Sequence, residues 1–318
     1  MGVVESTICA VVLAGCIGIV GAADEGSVAV KSPGFLKLVP ADAKMEKVAT
    51  GLHFTEGPLW HKDGFLLFSD IPANAITKWE PDGKVSTYRE VSGNSNGLTF
   101  DKEGRLIACE HGNRRVTREE KDGKVTVLAS RYEGKRLNSP NDVVVKSDGS
   151  IYFTDPPYGV EPGDRELDFQ GVFRLSSDGK PALLVDDFSR PNGLAFSPDE
   201  KTLYIADSSD RMHVRAFDVR PDGTLANGRI FADMKAAEEG APDGMKVDSD
   251  GNLWATGPGG VWVFDKSGSH LGTIKPPEVP ANCAWGDEDG KTLYMTARTS
   301  IYRIRTGAQG IRAWICGR

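Results

Sequence analysis

The chain has 318 residues and a formal net charge of −7, from 38 Lys and Arg against 45 Asp and Glu. Charged residues make up 26% and hydrophobic residues 39%, a composition that excludes a largely disordered chain. An acidic balance without a basic block argues against a nucleic-acid-binding protein. Glycine, at 37 residues, exceeds its usual share, and together with the frequent Asp and Asn it indicates a turn-rich, all-β fold.

The N-terminal segment has the features of an export signal. Residues 8–23 are apolar or small and uncharged, and they end in Gly21-Ala22-Ala23. The run is short for a membrane span and its end suits signal peptidase, so we predict a signal peptide over residues 1–23 and a periplasmic or secreted protein. The alternatives are a lipoprotein anchored at Cys16 and a buried N-terminal segment. No later run approaches the roughly 18 apolar residues of a membrane span, so no transmembrane domain is predicted.

The predicted mature chain contains three cysteines, Cys109, Cys283 and Cys316. None has the CxxC spacing of a zinc site, and three cysteines cannot form a disulfide framework. One disulfide and buried free thiols are both possible, and the second is preferred.

A repeated phrase organises the rest of the chain. It consists of a polar residue, an apolar alternation, a turn that usually contains Asp-Gly, and a second apolar stretch. Its copies begin at Glu56, Asn96, Asn141, Asn192, Asp243 and Asn282, about 45 residues apart. Four strands fill such a period, so we predict a six-bladed β-propeller with four-stranded antiparallel blades over residues 47–308. Residues 24–46 are then an N-terminal extension and residues 309–318 a C-terminal tail.

The elements of the first blade can be read directly. Strands are predicted at residues 59–61, 65–69, 76–80 and 84–88, with Asp-Gly turns between the first and second and between the third and fourth. These turns lie on one face, which leaves the opposite face for function. Residues 47–52 are predicted to close the ring as the outer strand of the last blade. The only candidate for a longer helix is 232–239.

The first residue of each repeat occupies the same place, at the mouth of an innermost strand. We therefore predict that Glu56, Asn96, Asn141, Asn192, Asp243 and Asn282 surround the central channel on one face. Turn chemistry explains a single Asn or Asp but not Glu56. Two carboxylates and several amide oxygens suit a hard divalent cation, with Ca²⁺ favoured and Mg²⁺, Mn²⁺ or Zn²⁺ as alternatives. Coordination positions left for water or substrate are typical of a Lewis-acid hydrolase.

The ends of the second strands are expected on the same face. They are Asp70, His111, Asp155, Asp207 and Arg298. His111 is a candidate for binding a substrate carbonyl or carrying a proton, against the alternative of a solvated loop residue. Arg114 or Arg115 could bind a substrate carboxylate, and Asp155 has an equally plausible structural role. For Trp60, Trp254 and Trp285, core packing is the preferred interpretation. The sequence contains no Gly-x-Ser-x-Gly elbow, phosphate loop or dinucleotide fingerprint.

Five phrases, in order, resemble the SMP-30/gluconolactonase/regucalcin family. They are TEGPLW (55–60), SPNDVVV (139–145), FTDPPYG (153–159), RPNGLAFSPD (190–199) and PDGMKVDSDGNLW (242–254). The resemblance covers residues 50–306 and implies a six-bladed propeller with metal-dependent lactonase activity.

The resemblance also implies roles for individual residues. Glu56, Asn192 and Asp243 match the metal ligands, Asn141 matches an Asn that reaches the metal or the substrate, and Asp243 matches the candidate general base. Asn96, Asn141, His111 and Asn282 are the candidates for substrate binding. Regucalcin-type members carry Arg two residues before the matching Asn, where this chain has Ser139, and Arg136 is out of register. Lactone hydrolysis is therefore implied more directly than a preference for sugar acids.

The predicted function is metal-dependent hydrolysis of a sugar lactone, or of another small lactone, by a monomer or dimer. A paraoxonase-like arylesterase is an alternative, although it requires a catalytic His pair that the sequence does not show. A non-catalytic propeller that binds a partner and is stabilised by calcium is the alternative from another class.

Overall fold

Six antiparallel sheets account for most of the computed structural model, which describes residues 26–175 and 179–313. The predicted signal peptide, Cys16 and Cys316 lie outside the described residues. The innermost strand of each sheet contacts that of the next, and the last contacts the first, so the sheets form a closed ring. The predicted six-bladed β-propeller is confirmed.

The strands of each blade are given from the channel outward. Blade 1 is Thr55–His61, Phe65–Asp70, Ala75–Trp79 and Val85–Glu90; blade 2 is Ser95–Phe100, Leu106–Glu110, Arg115–Glu119 and Val125–Ala129; blade 3 is Val143–Val145, Ile151–Asp155, Gln170–Leu175 and Pro181–Phe188. Blade 4 is Pro191–Phe196, Thr202–Asp207, His213–Val219 and Leu225–Asp233; blade 5 is Met245–Val247, Leu253–Gly257, Gly260–Phe264 and His270–Lys275; blade 6 is Asn282–Gly286, Thr292–Ala297, Ser300–Arg305 and Met45–Ala49. A two-stranded hairpin, Arg131–Tyr132 and Lys135–Arg136, lies between blades 2 and 3.

The N-terminal part of the chain closes the propeller. Met45–Ala49 pairs antiparallel with Ser300–Arg305, so the closing strand begins two residues before the predicted 47–52 and ends three residues earlier. Before it, Ser27–Val30 pairs with His270–Lys275 and gives blade 5 a fifth strand. A short helix, Phe35–Leu38, connects the two strands, and its Phe35 is wholly buried in the core shared by blades 5 and 6.

The predicted helix at 232–239 is wrong. Ala232 lies in the outer strand of blade 4, where it pairs with Val214, and residues 234–239 are irregular. Ala232 and Met234 both pack into the core between blades 4 and 5. Residues two apart share a side of a strand, whereas a helix would turn them away from each other. The only helices in the described residues are Phe35–Leu38 and the 3₁₀ turn Pro162–Asp164, and none of the described helices is long and apolar enough to cross a membrane.

Hydrophobic side chains fill the spaces between adjacent blades. Trp254 meets Trp285 edge to face at 4.9 Å between blades 5 and 6, and Trp60 stacks on Tyr294 at 5.2 Å between blades 1 and 6. The predicted core role of these three tryptophans is confirmed. Cys109 and Cys283 are buried free thiols, as preferred from the sequence.

Candidate active site and metal centre

Six polar residues surround the channel at one end of the innermost strands. Glu56, Asn96 and Asn192 are each the second residue of their strand and Asn282 is the first, whereas Asn141 and Asp243 come two residues before theirs. All except the half-buried Asp243 are at most 6% exposed. We call these six residues the polar ring.

Glycines allow the innermost strands to approach so closely. The residue after a polar-ring residue is Gly in four blades, at Gly57, Gly97, Gly193 and Gly244. A Cβ atom on Gly193 would lie 2.2 Å from the backbone oxygen of Asp243, and one on Gly57 would lie 2.1 Å from that of Asn96. No side chain fits at such distances, so these glycines are required for adjacent blades to meet at the axis.

Hydrogen bonds connect the polar ring from blade to blade. Nδ2 of Asn96 donates to Oδ1 of Asn141, and Nδ2 of Asn141 donates to Oδ1 of Asn192 at 2.5 Å. On the other side, Nδ2 of Asn282 donates to Oε2 of Glu56 at 3.0 Å. Asn282 thus orients Glu56, and its contact with substrate stays a prediction.

The carboxyl groups at the axis are buried close to one another. Burial, and then the nearby charge of Asp142, raise the pKa of Glu56 to about 7. The pKa of Asp243 is raised well above its usual value by burial, then by Glu56 and Asp142. The ammonium of Lys246 acts against these shifts at Glu56 and Asp142. Three carboxyl groups near one ammonium group repel one another, and this repulsion opposes the ionisation of all three.

Sequence reasoning missed Asp142 and Lys246. Asp142 follows Asn141 at the position where four other blades have Gly, and this break in the pattern was the signal that could have identified it. Its Oδ2 atom is buried and has no hydrogen-bond partner among the residues that the structure describes. Lys246 comes three residues after Asp243, and its Nζ reaches Oδ1 of Asn282 at 3.5 Å.

The donors at the axis fit a divalent cation. Carboxylate and amide oxygens are the ligands that Ca²⁺ and Mg²⁺ prefer, and Glu56, Asn141, Asn192 and Asp243 supply them. A cation would also relieve the repulsion among the buried carboxylates. In the described part of the chain, no three His, Cys, Asp or Glu side chains are grouped to hold a metal, so a site here depends on the asparagines.

His111 lies beside the polar ring and is buried, with 8% of its surface exposed, so it is not a solvated loop residue. Its Nε2 is 3.3 Å from Nδ2 of Asn96. Burial lowers the pKa of His111 to about 4, which makes the imidazole neutral at pH 7. With Asn96 as donor, Nε2 is the acceptor and the proton is on Nδ1.

The aspartates at the ends of second strands have structural contacts. Asp155 accepts hydrogen bonds from the backbone nitrogens of Asn138 at 2.7 Å and Ser139 at 2.8 Å. Asp70 and Asp207 bind two consecutive backbone nitrogens in the same way. Each carboxylate therefore fixes the segment that leads into the innermost strand of its own blade.

The candidate arginines are engaged with other protein groups. Nε of Arg114, which is 6% exposed, donates to the backbone oxygens of Leu137 at 2.7 Å and Asn138 at 3.0 Å. Arg115 and Arg298 each pair with a glutamate, Glu110 and Glu239 respectively. These contacts give the three arginines structural partners, and a role in binding a substrate carboxylate stays a prediction for Arg114 and Arg115.

A known protein family matches most of this chain. The sequence profile of the SMP-30/Gluconolactonase/LRE-like region matches residues 54–299. The chain belongs to this family.

Several proteins similar to this chain are named as gluconolactonases or lactonases. The gluconolactonase of Zymomonas mobilis subsp. mobilis is 36% identical, over 90% of this chain and 87% of its own length. The lactonase drp35 of Staphylococcus epidermidis is 30% identical, over 86% of this chain and 82% of its own. The structure of a gluconolactonase from Xanthomonas campestris superposes with a TM-score of 0.82 at 36% identity, covering 89% of this chain and 96% of that one.

Proposed function

We propose that this family member hydrolyses a sugar lactone of the gluconolactone type or another small lactone. The observation that carries the proposal is a pair of carboxyl groups, the buried Glu56 and the half-buried Asp243, set among asparagine amides at the mouth of the channel. The similarity to a gluconolactonase and to a lactonase over most of the chain supports the same reaction class.

The proposal includes one divalent cation, with Ca²⁺ favoured, held by Glu56, Asn141, Asn192 and Asp243. When bound, such a cation supplies positive charge that polarises a lactone carbonyl and lowers the pKa of a water molecule. Glu56 is suited to a fixed ligand because its Oε2 accepts hydrogen bonds from the backbone nitrogen of Gly57 at 2.6 Å and from Asn282 at 3.0 Å.

The chain's own groups then perform the proton transfers. Asp243 accepts a proton from the attacking water and returns it to the ring oxygen as the bond between that oxygen and the carbonyl carbon breaks. A bound cation would keep the Asp243 carboxylate ionised at neutral pH. The neutral His111, whose Nε2 faces Asn96 of the polar ring, is the candidate for orienting the substrate. The ring-opened product is a hydroxy acid, whose new carboxylate and hydroxyl groups account for the water that was added.

Hydrolysis of glucono-δ-lactone, followed with a pH indicator, tests the proposal. We expect EDTA-treated protein to lose activity and added Ca²⁺ to restore it, with Mg²⁺, Mn²⁺ and Zn²⁺ compared alongside. Failure to hydrolyse any lactone, while Ca²⁺ still raises the melting temperature, would favour a non-catalytic binding propeller. Faster turnover of phenyl acetate than of lactones would favour the arylesterase alternative.

A further inference from the structure

Tyr158 extends over the polar ring from the loop between the second and third strands of blade 3, Ile151–Asp155 and Gln170–Leu175. Its side chain combines two properties. The residue is 43% exposed, yet its hydroxyl lies 3.3 Å from Nδ2 of Asn192, at the predicted metal ligands. An exposed aromatic side chain whose polar end reaches the candidate active site can form a wall of a substrate pocket.

A hydrogen bond and close packing hold the loop in this position. The backbone nitrogen of Gly159 donates to Oγ of Ser139 at 3.1 Å, and Ser139 is wholly buried. A Cβ atom on Gly159 would lie 2.7 Å from Oγ of Ser139 and 3.2 Å from Cβ of His111. The loop therefore packs directly on Ser139 and His111, and Tyr158, the residue before Gly159, is placed by these contacts.

The surroundings of Tyr158 belong to several blades. Its ring centroid is 6.4 Å from that of His111 in blade 2, and its hydroxyl contacts Asn192 of blade 4. The hydroxyl is close enough to Asp243, the proposed base, and to Arg190 for their charges to act on it.

Hydrogen bonds around Asn192 hold the hydroxyl of Tyr158 beside the polar ring. Asn192 uses one Nδ2 hydrogen on Oγ of Ser208 at 2.8 Å and the other on the Tyr158 hydroxyl. Ser208 in turn donates to the backbone oxygen of Pro242 at 2.5 Å. The Tyr158 hydroxyl also has a hydrogen bond with Ser208. A phenolic hydroxyl both donates and accepts, so it can exchange the Ser208 contact for an oxygen of a ligand bound at the polar ring.

We propose that Tyr158 contacts the substrate and selects hydroxylated lactones: its ring packs against the C–H face of the lactone, and its hydroxyl donates to a substituent hydroxyl near the reacting carbonyl. This inference rests on the proposed lactonase function. A site that hydrogen-bonds a substrate hydroxyl discriminates against an analogue that lacks it, because the protein group is then left unpaired. Tyr158 would thus separate polyhydroxylated lactones from simple aliphatic ones.

Steady-state kinetics of Tyr158→Phe and Tyr158→Ala with saturating Ca²⁺, on glucono-δ-lactone and on the unsubstituted δ-valerolactone, test the inference. We expect Tyr158→Phe to raise KM for gluconolactone roughly 5- to 10-fold with little change in kcat, and to leave KM for δ-valerolactone unchanged. Tyr158→Ala should raise KM for both substrates because it also removes the ring. The control is Tyr88→Phe, a tyrosine 39% exposed on the outer strand of blade 1, whose hydroxyl bonds Glu119 at 3.4 Å.

Binding measurements separate this inference from the proposed reaction. The product gluconate, titrated by calorimetry onto the calcium-loaded protein, should bind Tyr158→Phe more weakly by the same factor. Wild-type protein that hydrolyses no lactone would refute the proposed function, while a loss of gluconate binding in Tyr158→Phe would still support the contact. An equal KM change for both lactones, no change for either, or undiminished gluconate binding would overturn the inference.

Discussion

At the scale of single residues, the two carboxylates of the polar ring differ in how they are held. Glu56 is fixed through Oε2 by Gly57 and Asn282. Asp243 is half-buried at the mouth of the channel, close to Asn192. Pro242 limits the backbone before it, and Gly244 after it makes space for Asn282, because a Cβ atom there would lie 1.9 Å from Cγ of Asn282. The fixed carboxylate is suited to holding a cation, and the more accessible one to accepting a proton from water.

Asp243→Asn should separate metal binding from catalysis. The substitution keeps the shape and one oxygen ligand but removes the base and one negative charge, so we expect kcat to fall at least ~10²-fold and Ca²⁺ to bind more weakly. Saturating Ca²⁺ should restore occupancy, measured by calorimetry, but not the rate. Asp250→Asn, in an exposed Asp-Gly turn, is the matched control. A near-normal kcat at high Ca²⁺ would mean that Asp243 only holds the ion and that the base is another group.

Glu56→Gln should stabilise the protein when no metal is bound. In the folded state the pKa of Glu56 is about 7, above its ordinary 4.5, so folded protein binds more protons than unfolded protein between these values. The contribution of Glu56 to the free energy of unfolding is therefore present below pH 4.5 and is lost as the pH rises through 7.

In EDTA, we expect the melting temperature of Glu56→Gln to exceed that of the wild type by about 2–5 °C at pH 8 and by much less at pH 5. Saturating Ca²⁺ should reverse the order at pH 8, because the variant binds the ion more weakly. Glu90→Gln, on the exposed outer strand of blade 1, controls for the loss of a carboxylate. The same difference from wild type at both pH values would contradict a raised pKa at Glu56.

At the scale of secondary-structure elements, two features recur among the blades and help to place the polar-ring residues. Glycine after that residue lets the innermost strands touch, as at Gly57 and Gly193. In blades 1, 3 and 4 an aspartate at the end of the second strand fixes the segment leading to the innermost strand, as Asp155 does. The site is therefore built on strands and backbone hydrogen bonds, with the Tyr158 loop as its more exposed part.

Sequence patterns predicted the blades better than their edges. The inner strand of blade 1 was predicted from residue 59, but it begins at Thr55, because a bulge before Leu59 lets Thr55 and Glu56 pair with Asp70 and Ser69. The fifth strand of blade 5, Ser27–Val30, was missed because its partner is His270–Lys275, almost at the other end of the chain. Local alternation contains no information about such a distant partner.

At the scale of the whole molecule, strands from the N-terminal part of the chain complete blades 5 and 6 near its C-terminal end. Ser27–Val30 and Met45–Ala49 pair with strands about 245–260 residues away. Both strands follow the predicted cleavage site, so removal of residues 1–23 would leave every described blade intact.

Export from the cytoplasm is predicted for the protein as a whole. We propose that the mature protein begins near Ala23 or Asp24 and is located outside the cytoplasm, because an uncharged apolar run ending in small residues suits signal peptidase. N-terminal sequencing of protein purified from its native host should find this new terminus. An intact Met1 or Gly2 would refute cleavage, and a lipid-modified Cys16 would support the lipoprotein alternative.

The sequence by itself determined the six-bladed repeat and the six residues of the polar ring, because the sequence of a propeller repeats the same strand-and-turn pattern once per blade. Each repeat places its first residue at the same end of an innermost strand. A regular spacing along the sequence therefore predicts a ring of these residues in the folded protein. The expected chemistry of that ring follows from its oxygen-bearing side chains.

Only the tertiary structure decided what surrounds the ring. Asp142 and Lys246 lie near the axis because their blades converge there. A local sequence pattern cannot predict which charged groups of six separate segments come together at the axis. Two other features also depend on residues of different blades. They are the burial of His111, which makes its imidazole neutral, and the contact between Tyr158 and Asn192. Such contacts depend on how the blades pack, which is a property of the closed propeller and not of any one repeat.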